Sequence, residues 1–145
     1  MAKAIEAAKI AFHENEIPIG AVIEKNGEIL SIAHNASENQ QCAICHAEVI
    51  AIKEACRKIG EKYLIDCNLY TTLEPCYMCA GAIVLAKIKS VYIGAKDEKY
   101  GAVLSGLRVF ENANINHRPV VYDCIMNEGC SKLLTDFFTQ KRLNK

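Results

Sequence analysis

His46-Ala47-Glu48 and Pro75-Cys76-Tyr77-Met78-Cys79 are the stretches of this 145-residue chain whose residue types could do chemistry together. Imidazole and thiolate are ligands that zinc takes readily. Cys76 and Cys79 are three apart, so in a first helical turn they point the same way. A helix N-terminus carries partial positive charge and favours thiolates, the form that binds metal. Pro75 suits the start of such a helix. His46, Cys76 and Cys79 make three protein ligands for one zinc per chain. Three ligands leave a position open for water, as in catalytic sites, whereas a fourth closes the site. Glu48 lies two residues beyond His46, roughly 200° around a regular helix. It is a poor co-ligand there, but it can sit against the water and move protons.

Either half alone is weak: His-x-Glu occurs by chance, and Cys-x-x-Cys also serves redox and structural zinc sites. Their conjunction, each half at an expected helix start and the second after a proline, is specific and matches the signature of zinc nucleobase deaminases. The chain also supplies a competitor. Cys42-Ala43-Ile44-Cys45-His46 fits the attachment pattern of a c-type haem. Joined to Cys76 and Cys79, Cys42 and Cys45 could instead close a four-cysteine structural zinc site. Haem attachment needs an export context, and the four-cysteine site leaves His46 and Glu48 without a role. Of the eight cysteines, Cys56, Cys67, Cys124 and Cys130 read as small, weakly polar packing residues.

Length and composition bound the remaining choices. About half the residues are apolar (51%), which suits one globular domain over 1–145. No run of eighteen apolar residues is present, so no membrane span is expected. Charges interrupt the stretch from Met1 to Lys9, so it does not read as a signal peptide and a cytoplasmic location is expected. A disulfide framework is not expected there. The net charge is zero, but its distribution is uneven. Residues 1–85 carry 7 Lys/Arg and 11 Asp/Glu, while residues 86–145 carry 10 and 6. Lys141, Arg142 and Lys145 end the chain without an acid among them, and could face a polyanion. They could equally be a solvated helix end, where cations are favoured.

The elements that must position these residues follow from periodicity. Ile5, Ala8, Ala11 and Phe12 give the three–four spacing of a helix over 3–14. Ala21 to Ile23 and Ile29 to Ala33 flank Asn26-Gly27, a strong two-residue hairpin signal. Residues 35–42 read as a polar loop. A helix over 46–58 stops at Gly60. Strands are expected at 67–72, 90–94 and 119–125, and helices at 76–87 and 127–143, with a short helix near 103–110. The order is α-β-β-α-β-α-β-β-α, which fits a single α/β domain with helices on both faces of a central sheet.

The chain resembles the bacterial-type tRNA adenosine deaminases over nearly its whole length. The resemblance rests on Glu16-Ile-Pro-Ile-Gly-Ala-Val22, His46-Ala-Glu48, Thr72-Leu-Glu-Pro-Cys-Tyr-Met-Cys-Ala-Gly-Ala82, Gly94-Ala-Lys-Asp97, Asn116-His-Arg118 and Leu133-Leu-Thr-Asp-Phe-Phe138. It implies a cytidine deaminase-like three-layer α/β/α fold with a five-stranded mixed sheet, and a homodimer. It implies conversion of the wobble adenosine of an arginine tRNA anticodon to inosine, with the anticodon stem-loop as partner. Residue by residue, His46, Cys76 and Cys79 match the family's zinc ligands and Glu48 its proton shuttle. Asn35 matches the Asn that hydrogen-bonds the flipped base, and Asp97 an Asp near the ribose. Lys141 and Arg142 fall in the family's basic C-terminal helix. The family usually carries an Asp-Pro-Thr-Ala-like stretch before the His, where this chain has Cys42-Ala43-Ile44-Cys45. Two other readings stay open: a zinc deaminase of a free base such as guanine or cytosine, and a structural zinc module without catalysis.

Overall fold

Why two helices begin side by side is decided by how the sheet is ordered. The computed structural model describes residues 1–145. Its elements are α1 (Ala2–His13), β1 (Gly20–Lys25), β2 (Glu28–His34), α2 (Ala47–Ile59), β3 (Asn68–Leu73), α3 (Tyr77–Leu85), β4 (Ser90–Ala95), β5 (Val120–Tyr122) and α4 (Asn127–Leu143). The strands form one sheet in the order β2-β1-β3-β4-β5. β1 is antiparallel to both β2 and β3, while β3–β4 and β4–β5 are parallel. The sheet is therefore mixed and five-stranded, as expected.

Local chemistry accounts for most of the boundaries. Asn26 and Gly27 both adopt positive φ, 53° and 84°, the conformation a tight hairpin turn needs. Gly60 ends α2 in the left-handed region at φ 69°. The parallel pair β3–β4 requires a crossover, and α3 supplies it. α2 and α3 cover one face of the sheet, and α1 and α4 pack together on the other. The larger core lies under α2 and α3, where Ala47, Ala51, Ala55, Ala80 and Ile83 meet Ile23, Leu69, Val91 and Ile93. Across β3, β4 and β5 the register aligns Tyr70, Tyr92 and Tyr122, whose rings stack at 4.5 and 4.8 Å.

Two expected elements are smaller than their sequence patterns suggest. The helix near 103–110 is a single 3-10 turn, Val109–Glu111. The amides of Val103, Leu104 and Ser105 are spent on the Glu74 side chain, and Gly106 and Arg108 take positive φ, so no helix can run through. The strand at 119–125 shrinks to Val120–Tyr122, because Cys124 turns into the left-handed region at φ 57°.

The approach of α1 to the sheet depends on Gly20. A Cβ there would meet the Ala4 carbonyl oxygen and lie 2.8 Å from the Ala8 nitrogen, and both are helix backbone that cannot rotate away. Gly20→Ala should destabilise the fold by about 1–3 kcal/mol, the usual cost of overpacking. Urea unfolding of the two proteins measures it, and equal midpoints would show that α1 shifts without cost.

Candidate active site

His46 and Cys76 occupy the N-cap positions of α2 and α3, with extended backbones at ψ 150° and 174°. Neither cap is closed by a side-chain hydrogen bond, so both side chains are free to project from their helix starts. Because α2 and α3 lie side by side on one face, those starts meet. The His46 Nδ1 is 3.6 Å from both the Cys76 and the Cys79 sulfur, and the three donor atoms all lie within 4.8 Å of one another. Cys79 is buried, while His46 and Cys76 are half-buried.

These spacings can be tested against a metal. Zinc at ~2.3 Å from sulfur and ~2.05 Å from nitrogen, in tetrahedral geometry, places nitrogen and sulfur donors roughly 3.5–3.6 Å apart. Both observed nitrogen–sulfur separations match this spacing. Cys42 and Cys45 lie outside this donor group, so the four-cysteine arrangement is not the one the fold builds.

The electrostatics suit the same donors. A hydrogen bond from Cys79 holds the Cys76 thiol down to about 4, helped by His46 and opposed by burial. Cys79, giving that proton to its partner and buried beside Glu48, is pushed strongly up. His46 is raised, chiefly by its hydrogen bond with Cys76. The pair thus shares one proton that a cation at the centre would expel.

Glu48 sits in the first turn of α2 with its side chain buried against this group. One carboxyl oxygen lies 3.4 Å from the Cys79 sulfur and the other 3.3 Å from the Thr71 hydroxyl, which itself donates to the Leu73 carbonyl at 2.9 Å. Burial pushes the Glu48 carboxyl up from its ordinary range. A carboxyl that holds a proton this readily, beside a three-donor group, can serve as both acid and base.

The other sequence-selected residues fall around the group, not in it. Asn35 ends up buried just past β2, and the amide of the next residue, Ala36, donates to the Cys45 carbonyl at 3.1 Å. That bond ties Asn35 to the segment leading into His46. The Asn35 Nδ2 donates to Glu16 at 3.0 Å, and its Oδ1 accepts from the Ser37 hydroxyl at 2.8 Å. Asp97 caps a turn by accepting from the Lys99 and Tyr100 amides, both at 3.0 Å. The Asp97 carbonyl accepts from the Gly101 amide, and Gly101 pairs with Cys76, so this turn borders the site. Lys141 and Arg142 lie in the last turn of α4, away from the donors. Lys141 and Lys145 line a cleft with Phe137, Phe138 and Asn39, and Lys141 stands 5.5 Å over the Phe137 ring. Arg142 points elsewhere, to the Thr139 hydroxyl. The two phenylalanines divide, Phe137 buried and Phe138 44% exposed.

Two buried acids had no role assigned from sequence. Glu16 holds Asn35 and the Asn39 amide. Glu74 accepts from the amides of Asp97, Val103, Leu104 and Ser105 and from the Ser105 hydroxyl, at 2.8–3.2 Å. The available signal was an acid set in an apolar run beside proline, as in Leu73-Glu74-Pro75 and Glu16-Ile17-Pro18.

With this geometry established, comparison with known proteins becomes informative. Residues 1–142 match the MafB19-like deaminases, and the chain belongs to that family. Among curated relatives, the tRNA-specific adenosine deaminase of Aquifex aeolicus is 46% identical over 97% of this chain and 93% of its own length. That of Bacillus subtilis is 42% identical over 100% of this chain and 90% of its own. A solved structure from work on A-to-I editing by tRNA:A34 deaminases superposes with a TM-score of 0.91 at 38% identity, covering 92% of this chain and 97% of the other. The guanine deaminase of Bacillus subtilis superposes less closely, at a TM-score of 0.65 and 29% identity, over 92% and 88%.

The charge of Glu74 is predicted to matter to stability. Burial works to raise its carboxyl, but the donations from Asp97, Ser105 and Leu104 outweigh it, and the group lies below its ordinary value. A lowered folded value means stability that is present above the unfolded value of ~4.3 and lost as pH falls through the folded one. Glu74→Gln should therefore lower the urea midpoint at pH 7, with the gap to the parent narrowing below pH ~4. A gap that does not vary with pH would assign the loss to shape and not to charge.

Proposed function

We propose that this chain deaminates adenosine to inosine at the wobble position of a tRNA anticodon, an arginine tRNA by family resemblance, using one zinc held by His46, Cys76 and Cys79. The observation that carries the reading is the Glu48 carboxyl, buried within 3.4 Å of the Cys79 sulfur at a three-donor group with zinc spacing. A purely structural zinc site has no use for such a group. The relatives named above favour RNA over a free base as substrate.

Zinc, when bound with three protein ligands, makes hydroxide available at neutral pH. Glu48 takes the proton that this releases and passes it to the adenine ring nitrogen beside C6. As the oxygen bonds to C6, Glu48 takes a second proton from the hydroxyl formed there and gives it to the amino group, so that C6–N breaks, ammonia leaves and the C6 carbonyl remains. The raised affinity of Glu48 for protons suits both transfers. By family resemblance Asn35, held by Glu16 and Ser37, orients the flipped base, and Asp97 serves the ribose. Flipping costs a few kcal/mol and is cheapest in a single-stranded loop, which an anticodon provides. Lys141 and Arg142 supply charge for the flanking phosphates. We place the chain in the cytoplasm as a homodimer, for which α3 leaves Tyr77 and Leu85 exposed.

The direct test is inosine formation in an arginine tRNA anticodon stem-loop, with free adenine, guanine and cytosine in parallel. Inosine at the wobble position is expected, and deamination of a free base with the RNA untouched would overturn the reading. Glu48→Ala should keep about one zinc per chain, as a three-ligand site requires. Its turnover should fall by ~10⁴-fold or more, the upper end for acid–base catalysis, since one group serves several transfers. Activity within tenfold of the parent would remove Glu48 from the mechanism.

The basic end of α4 should serve binding and not chemistry. Each phosphate contact adds ~0.7–0.9 to the log–log salt slope. Deleting residues 141–145 should weaken RNA affinity and flatten its salt dependence, while the single-turnover rate at saturating RNA stays near that of the full chain. Unchanged affinity and slope would show that these cations are only solvated.

A further inference from the structure

Cys42 and Cys45 are half-buried free thiols that belong to no donor group of the metal site. They are the two end residues of a tight turn. The Cys45 amide donates to the Cys42 carbonyl at 3.1 Å, and the Cys42 amide donates to the Ser37 carbonyl at 2.9 Å. A turn of this kind holds its end Cα atoms within about 7 Å, and a disulfide spans about 4.4–6.8 Å. The Cys45 thiol donates to Gln40 Oε1, at 3.1 Å. The two cysteines are thus close along the turn and accessible. In reducing compartments a pair like this works transiently, in exchange or sensing, and not as a structural crosslink.

We infer that Cys42 and Cys45 form a thiol–disulfide exchange site, with a small disulfide such as oxidised glutathione as its oxidant. The Cys42 thiolate attacks one glutathione sulfur, the S–S bond breaks, and one glutathione leaves as thiolate and takes up a proton. Cys45, losing its proton, then attacks the Cys42 sulfur of the mixed disulfide and expels the second glutathione. Two electrons pass from the protein pair to the oxidant, giving one protein disulfide and two reduced glutathiones. The crosslink removes the Cys45 donation to Gln40 and cinches a loop that runs from Asn35 to His46. The loop is anchored by Ala36 on the Cys45 carbonyl, so strain at the turn reaches the Asn35–Ser37 contact. RNA affinity should shift with oxidation, a consequence that rests on the function proposed above; the disulfide itself does not.

The test uses the zinc-loaded full chain in glutathione buffers from fully reduced to fully oxidised, followed by alkylation and peptide mass mapping. The expected result is a disulfide between Cys42 and Cys45 at unchanged zinc content, reversed by dithiothreitol. Cys45→Ser lacks the resolving thiol and should retain glutathione on Cys42. Both cysteines alkylated throughout, or pairing with any other cysteine, would overturn the assignment. Affinity for the anticodon stem-loop should differ at least ~3-fold between the two forms, about the worth of one hydrogen bond, and not at all in the Cys42→Ser, Cys45→Ser variant. Equal affinities alongside a mapped disulfide would overturn the coupling to the loop. RNA bound by neither form would count against the proposed function, while the mass map would still decide the disulfide.

Discussion

Everything at this site depends on two helix N-termini being brought together at one end of the sheet. His46 opens α2 and Cys76 opens α3, and their donor atoms meet at 3.6 Å. Both helices point their partial positive ends at the same small volume. That field favours thiolate at Cys76, and it would repel a cation if no anionic sulfur stood in between. The parallel pairing of β3 with β4 fixes where α3 starts, since the crossover must leave the end of β3 and return on one face. The antiparallel β1 next to β3 brings the β1–β2 hairpin, and so α2, to the other side of that same end. A different strand order would leave the same residues without a common centre.

Three buried acids show how surroundings decide what a carboxyl does. Glu74 accepts donations from four backbone amides and a hydroxyl, so it stays ionised without any cation nearby. Its role is to shape the 97–105 segment that borders Cys76. Glu16 is divided between the Asn35 side chain and the Asn39 amide, and so fixes the other wall. Glu48 has a thiol, a hydroxyl and one backbone amide within reach, and burial raises its affinity for a proton. The same side chain is thus a scaffold where donors are many and a group that holds a proton more readily where they are few.

The sequence made the metal group legible because its signals are local. A helix start, a three-residue spacing and a preceding proline can all be read within a few positions of Cys76. Asn26-Gly27 and Gly60 were legible for the same reason, since their conformations belong to single residues. The strand order was not, because it is set by pairings between distant segments. The 103–110 segment has helix-compatible residues, and its loss follows from amides captured by Glu74, some thirty positions earlier. Asn35 and Asp97 came from family resemblance, and nothing in their neighbours' types would have singled them out. The Glu16 contact to Asn35 spans 19 positions and the Thr71 contact to Glu48 spans 23, beyond what periodicity reports.

This division has a consequence for how such a domain can vary. The donors sit on helix starts packed against a shared sheet, where a shift of a few tenths of an ångström would spoil the 3.6 Å spacings. The walls are loops hung on buried carboxylates, one on Glu74 mainly through backbone amides and the other on Glu16 through the Asn35 side chain and the Asn39 amide. An amide donates whatever side chain it carries, so a loop can change its residues and keep its path as long as Glu16 or Glu74 remains. Cys42-Ala43-Ile44-Cys45 can therefore replace a quite different stretch immediately before His46 without disturbing the metal group. The donor side chains thus sit on rigid elements, while the loops around them take their shape from donors, backbone and side chain alike, gathered on the buried carboxylates of Glu16 and Glu74.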